Sequence, residues 1–491
     1  MVATSPPATE VAPGGVGGAG VVERLRAGFD AGVTRPLEWR RRQLVQMRRM
    51  LVEGESELLA ALAADLSKPA VEGRLTDVTF VTGEIDVALR GLEEWCRPER
   101  VPVPLVQRPA RASVVREPLG VALVIAPWNY PVNLLLSPMV AAIAAGNAVV
   151  GKPSELAPAT SSALARLSAR YLDQAAVAVV EGGAPETTEL LSERFDHIFY
   201  TGGSRVARVV MEAAARHLTP VTLELGGKSP ALVDQDADLE VAARRIAWGK
   251  FVNAGQTCVA PDYVLCHRDV EEDLVGGLAR AIRRFYGPEP ADSPDYARIV
   301  NQRHFDRLVA LLPGGAGGGG AAGGSGGGGS GGGGSGTVAV GGRWDRSGLF
   351  IGPTVLRGVD AGSPVMAEEI FGPILPVVAV DDMAEATAFV RARPRPLALY
   401  VFARSDETVG TVLAGTSSGG VCVNGTVMQL AVPGLPFGGV GESGTGAYHG
   451  RHGFETLSHR RAVLTKPTRP DLPLAYPPYT RVKDWLLRKA T

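Results

Sequence analysis

Between residues 121 and 233, short apolar runs alternate with helix-length stretches, and this alternation constrains the fold more than any other feature of the chain. The apolar runs fall at 121–125, 148–150, 177–180, 197–200, 221–223 and 231–233. Helical patterns occupy 132–146, 158–173, 186–193 and 204–216. Each helix returns the chain to the starting edge of the sheet, so the strands lie parallel with right-handed crossovers and helices on both faces. Ligands of such sheets bind at the carboxyl ends of the strands. Asn129, Lys152, Gly182-Gly183, Gly202-Gly203 and Gly226-Gly227 each follow an apolar run and therefore collect at that end.

The flanks have a different character. Residues 21–96 repeat apolar side chains at helical spacing, among them Leu25, Leu44, Met47, Leu51, Leu58 and Leu62. Residues 98–118 mix Pro98, Pro102, Pro104 and Pro109 with valines, which suits an extended arm better than a packed core. A second α/β stretch follows Cys258 and runs to about 440. It is interrupted at 314–336 by a segment of only Gly, Ala and Ser, which forms no core and is expected to be a mobile loop. Beyond 455, Pro467, Pro470, Pro473, Pro477 and Pro478 precede an amphipathic stretch at 482–489, and the whole reads as an arm that packs on a second subunit. Residues 1–20, rich in Pro, Gly and Ala, read as a disordered tail.

Composition excludes several classes of function. The 50 basic and 51 acidic residues leave a net charge of −1, so no polyanion-binding surface and no nucleic-acid partner are expected. The run Arg40-Arg41-Arg42 lies among Leu44, Met47 and Leu51 and reads as a solvated helix face. Four cysteines in 491 residues give no disulfide framework. His449 and His452 have no ligand companions in register, so no metal site is expected. No signal peptide and no membrane-length apolar run are visible, which points to a reducing, cytoplasmic setting.

The chemistry lies in three places. Pro127-Trp128-Asn129-Tyr130-Pro131 follows a strand and ends in a constrained turn. Glu224-Leu225-Gly226-Gly227-Lys228 sets a carboxylate at a strand end beside two glycines. Gly255-Gln256-Thr257-Cys258 presents a thiol in a turn. A thiol, an amide and a carboxylate are what addition to a carbonyl needs: a nucleophile, an oxyanion donor and a group that manages a proton. Each also has a plainer reading. Asn129 can shape a turn, Glu224 can serve an ion pair, Lys152 can be a surface lysine before a helix, and Phe371 can be core.

Six motifs, in the order in which they occur along the chain, resemble the aldehyde dehydrogenase family. They are the two segments 127–131 and 224–228, Gly151-Lys152-Pro153-Ser154-Glu155, Gly255-Gln256-Thr257-Cys258, Glu368-Glu369-Ile370-Phe371-Gly372-Pro373, and the segment 436–441. The continuation Val259-Ala260-Pro261-Asp262-Tyr263 and the segment 446–452 resemble the class 3 branch, which includes fatty-aldehyde and coniferyl-aldehyde enzymes. The resemblance covers about residues 21–480 apart from the glycine-rich insertion. It implies a Rossmann-like dinucleotide-binding domain (21–98 and 119–223), an α/β catalytic domain (224–441), oligomerisation arms of β structure (99–118 and 455–480) and a C-terminal segment, 481–491.

The resemblance also implies roles. Cys258 would be the nucleophile that forms a thiohemiacetal and then a thioester. The Asn129 amide and the Cys258 backbone N–H would form the oxyanion hole, and Glu224 would activate the water that releases the acid. Lys152 and Glu155 would contact the adenine ribose, Gly202, Gly203 and Ser204 the phosphates, and Glu369 the nicotinamide ribose, with Trp128 and Phe371 beside it. The family usually has glycine where Ala207 stands, a departure that bears on the cofactor's pose. Glu155 favours NAD, with NADP as the alternative in this class. A homodimer and a medium-to-long aliphatic or aromatic aldehyde are implied. The competing function is cysteine-dependent acyl transfer or hydrolysis without nicotinamide, which predicts a histidine paired with the thiol.

Overall fold

The computed structural model describes residues 18–104, 107–314, 336–469, 471 and 476–490. The expected disordered tail falls largely on residues 1–17 and the expected mobile loop on 315–335, both outside the described residues. Residues 18–20, read as tail, instead open the first helix, Gly18–Asp30, whose Val22 and Leu25 enter the core.

The first sheet has six strands, in the order Gly444–Thr445, Val221–Glu224, His197–Thr201, Val121–Ile125, Ala148–Lys152, Val177–Val179. All neighbours are parallel except Gly444–Thr445, which runs antiparallel to Val221–Glu224. The chain starts at Val121–Ile125, winds outward to Val177–Val179, then returns to the other side at His197–Thr201. The carboxyl ends of Val121–Ile125 and His197–Thr201 therefore flank the point where strand order reverses, the expected ligand crevice. The helix Pro131–Ala145 is almost entirely buried, wedged between this sheet and the helices Leu37–Glu53 and Phe80–Trp95. Being covered on all sides, it is apolar all round.

The second sheet has seven strands, in the order Thr337–Val340, Thr354–Arg357, Ile374–Val380, Tyr263–His267, Pro230–Val233, Ala398–Phe402, Gly420–Val423. The apolar run at 231–233, grouped above with the first alternation, belongs here, between Tyr263–His267 and Ala398–Phe402. The reason is physical: a parallel crossover takes a dozen or more residues, and too few separate this run from Val221–Glu224. Gly226 and Gly227 carry the chain from one sheet to the other.

The proline-rich flanks form a third, antiparallel sheet from Glu99–Val101, Arg111–Pro118 and Ser458–Thr465. Its side chains are mostly exposed or half-buried. Each large sheet has its own apolar core, and Phe437 packs against both. The segment 481–490 is helical, with Val482, Trp485 and Leu486 exposed.

Candidate active site

The thiol sits just past a strained turn. The helix Leu239–Phe251 ends, and Asn253 (φ 53°), Ala254 (φ 51°) and Gly255 (φ 74°) all take left-handed backbone. Non-glycine residues hold that conformation only when their surroundings fix it. Here Asn253 Nδ2 donates to Asn129 O (2.9 Å) and Gln256 O (3.2 Å), and Gln256 Nε2 donates to Asn253 O and Arg298 O (both 3.0 Å). Val300 N donates to Gln256 Oε1 at 3.0 Å. Gly255 has a steric reason as well: a Cβ there would lie 2.3 Å from Gly372 O, on the loop that carries Glu369 and Phe371.

The asparagine turn is fastened to the same loop. Asn129 Nδ2 donates to Gln256 O (3.1 Å), and the Tyr130 and Thr257 hydroxyls share a 2.6 Å hydrogen bond. The amide thus stands against the two residues that precede Cys258. Beneath it lies a buried pair that sequence reasoning missed. Lys68 Nζ donates to Asp77 Oδ2 and to Asn129 O, both at 2.9 Å, and stands 4.1 Å from the Tyr130 ring centroid. Asp77 Oδ1 accepts from Val132 N (3.2 Å) and Asn133 N (3.3 Å), capping the helix that opens at Pro131.

Glu224 ends its strand and is buried, with neither carboxylate oxygen hydrogen-bonded. The ion-pair reading fails for it. Burial pushes its carboxyl well above the usual range. The Cys258 side chain is half-buried. Dry surroundings, then the charges of Glu369 and Glu224, push its thiol up to about 12, while the N–H groups of Cys258 and Val259 act the other way. The groups that act most on the thiol are thus carboxylates and backbone amides, whereas the hydrolase reading calls for an imidazole.

Lys152 ends the strand Ala148–Lys152 and is 2% exposed, so it is no surface lysine. Its Nζ donates to Pro153 O at 2.7 Å, and burial lowers its pKa. Glu155 follows on an exposed turn. Gly203 and Ser204 open the helix Ser204–Ala215 to solvent without a side-chain cap, leaving its first N–H groups available to an anion. Thr201 Oγ1, just before Gly202, is buried without a hydrogen-bond partner. Ala207, at the usual glycine position, is buried in the helix.

Glu369 and Phe371 lie on the facing loop. The Glu369 Oε1 has no partner, and a Cβ on Gly226 would lie 2.1 Å from its Oε2. Burial, then Asp262, pushes its carboxyl up to about 8. Phe371 is half-buried at φ 49° and meets Trp128 edge-on, with ring centroids 5.5 Å apart. Trp128 in turn packs with Leu66, Ala157 and His304. Buried polar atoms without partners therefore gather where the two sheets face each other: Asn129 Oδ1, Thr201 Oγ1, both Glu224 oxygens and Glu369 Oε1. Such atoms are costly and mark a site that a ligand completes. The donor helix, the buried lysine and the Glu369 carboxylate, one oxygen of which has no partner, suit a dinucleotide. His449, by contrast, is buried among Phe80, Phe437 and Tyr448, an aromatic cluster rather than a ligand set.

Comparison with known proteins agrees with this geometry. Residues 20–463 match the aldehyde dehydrogenase family. Aldehyde dehydrogenase family 3 member A2 of Macaca fascicularis is 47% identical over 467 residues, covering 94% of this chain and 92% of that protein. The dimeric, NADP-preferring aldehyde dehydrogenase of Mus musculus is 48% identical over 449 residues, covering 91% and 94%. The substrate-bound structure of Staphylococcus aureus AldH superposes with a TM-score of 0.90 at 39% identity, covering 96% of this chain and 99% of that one.

Proposed function

The chain belongs to the aldehyde dehydrogenase family and oxidises aldehydes with NAD(P), and from that premise we propose that Cys258 is its nucleophile, Asn129 its oxyanion donor and Glu224 its base. The observation that carries this assignment is the meeting of a half-buried thiol, an amide fastened beside it and a buried carboxylate with no partner.

Cys258 loses its proton to solvent and, as thiolate, adds to the aldehyde carbon. The charge that develops on the oxygen is met by the Asn129 amide and the Cys258 backbone N–H, donors already fixed before reaction. A nicotinamide held beside Glu369, Phe371 and Trp128 would supply the hydride acceptor for the carbon bonded to Cys258. A thioester is left on Cys258. Glu224, which holds a proton readily because it is buried, takes one from water, and the hydroxide adds to the thioester carbonyl. The acid leaves and the thiol is restored.

Lys152, Glu155, Gly202, Gly203, Ser204, Trp128, Glu369 and Phe371 would hold the cofactor. The exposed Glu155 carboxylate favours free ribose hydroxyls, so NAD is the proposed first choice, even though three relatives are named NADP-preferring. We read the exposed three-stranded arm as a homodimer contact, in keeping with a relative named dimeric. A cytoplasmic setting is supported by four unpaired cysteines. The proposed substrates are medium-to-long aliphatic or aromatic aldehydes. The test is NAD(P)H formation across such a panel, with the wild type and Cys258→Ala. Turnover lost in Cys258→Ala with NAD binding kept is expected; turnover surviving in the variant rejects Cys258.

A further inference from the structure

We propose that Tyr400 is a positioning residue for the nucleophile: its hydroxyl fixes the far side of the turn that carries Cys258, so that the N–H groups of that turn stay aimed at the reacting atoms. The proposal rests on the reading of Cys258 as the nucleophile.

Ala260 N donates to Thr257 O at 3.0 Å and closes a tight turn with Cys258 and Val259 at its corners. The side before the thiol is held by the Asn129 and Asn253 amides on Gln256 O and by the Tyr130 hydroxyl on Thr257 Oγ1. Beyond the thiol, support is sparse. Among the described residues, one side chain hydrogen-bonds the backbone of residues 258–261: Tyr400 Oη donates to Val259 O at 2.5 Å. Pro261 has no N–H to add. Val259 O and Ala260 N belong to one planar peptide unit. That unit is therefore held at both of its polar groups, one by Thr257 within the turn and one by Tyr400 outside it.

Tyr400 lies mid-strand in Ala398–Phe402, in register with Ala231 on one side and Cys422 on the other, and is fully buried. Every other residue of that strand is apolar. A phenylalanine ring would fill the same space, so the distinct contribution of the hydroxyl is the bond it makes in a dry core. Tyr130 follows a strand of the first sheet and Tyr400 lies in a strand of the second, so the turn is gripped from both walls of the site. The N–H groups of Cys258 and Val259 favour the thiolate, against burial and the two carboxylates. Their direction is set by the turn, so a turn free to twist weakens them both at the sulfur and at the oxyanion.

The test is Tyr400→Phe, which removes one oxygen and keeps the ring, beside Tyr296→Phe as a matched control. Tyr296 is buried in the same core, and its hydroxyl donates to Ile351 O at 2.8 Å. Iodoacetamide alkylation at one fixed pH, followed as adduct mass on the intact protein, reports the reactivity of the thiol, and the phase lost in Cys258→Ala belongs to Cys258. In Tyr400→Phe that phase and the first NADH turnover should each slow by about tenfold or more, since a misplacement of about 1 Å costs about 10²-fold. Calorimetric NAD affinity should stay at the wild-type value, and Tyr296→Phe should alkylate at the wild-type rate. A merely structural role would lower the unfolding midpoint of both variants alike and leave alkylation unmoved. Either that outcome or equal slowing in both variants overturns the proposal. Fast hydrogen exchange of the amides of residues 257–263 in the wild type also overturns it, and decides even if Tyr400→Phe fails to fold. Alkylation unchanged by Cys258→Ala rejects Cys258 as the nucleophile, whereas a Cys258 phase of wild-type rate in Tyr400→Phe rejects only Tyr400.

Discussion

At the scale of the residue, the site is defined by what its polar atoms lack. Glu224 has neither oxygen hydrogen-bonded, and its burial raises its pKa. A base must be unprotonated, so thioester hydrolysis should speed up as pH rises through a value above the ordinary carboxylate range of about 4.3. Single-turnover release of acid measured against pH checks this, and Glu224→Gln should flatten the profile. Asn129→Ala should lower kcat by about 10²–10³-fold, the usual cost of one oxyanion donor, with NAD affinity unchanged. These residues were legible because each sits in a short local motif. Lys68 and Asp77 were not. Asp77 caps a helix whose capped N–H groups lie 55 and 56 positions away.

At the scale of the element, three loops make the site and hold one another. The Asn129 turn is tied to Gln256 and Thr257, and the Cys258 loop passes within a Cβ of Gly372. The Lys68–Asp77 pair underlies the first of these. Removing one partner of a buried pair strands the other's charge, so Lys68→Met should cost about 3–5 kcal/mol in denaturant unfolding. Gly255→Ala should lose activity as well as stability, because its Cβ meets the Gly372 carbonyl and its φ is positive. The parallel alternation was readable because each buried strand is an apolar run closed by glycine or a turn. Which sheet takes Pro230–Val233 was not readable from apolar pattern alone; only the short gap before it excludes a crossover.

At the scale of the whole molecule, two sheets supply opposite walls and a third supplies an arm. The first sheet brings Asn129, Lys152, Glu224 and the helix at Ser204; the second brings Cys258's loop and Glu369. The antiparallel sheet of Glu99–Val101, Arg111–Pro118 and Ser458–Thr465 is little buried within one chain. Sedimentation should therefore give twice the chain mass, and truncation before 458 should give a monomer or aggregate. The two-step cycle across these walls is tested most directly by intact-protein mass spectrometry of Glu224→Gln mixed with NAD and an aldehyde. The account predicts one burst of NADH and an acyl mass trapped on the protein that is absent when Cys258 is also replaced by Ala. NADH formed at the wild-type rate with no acyl adduct would contradict it.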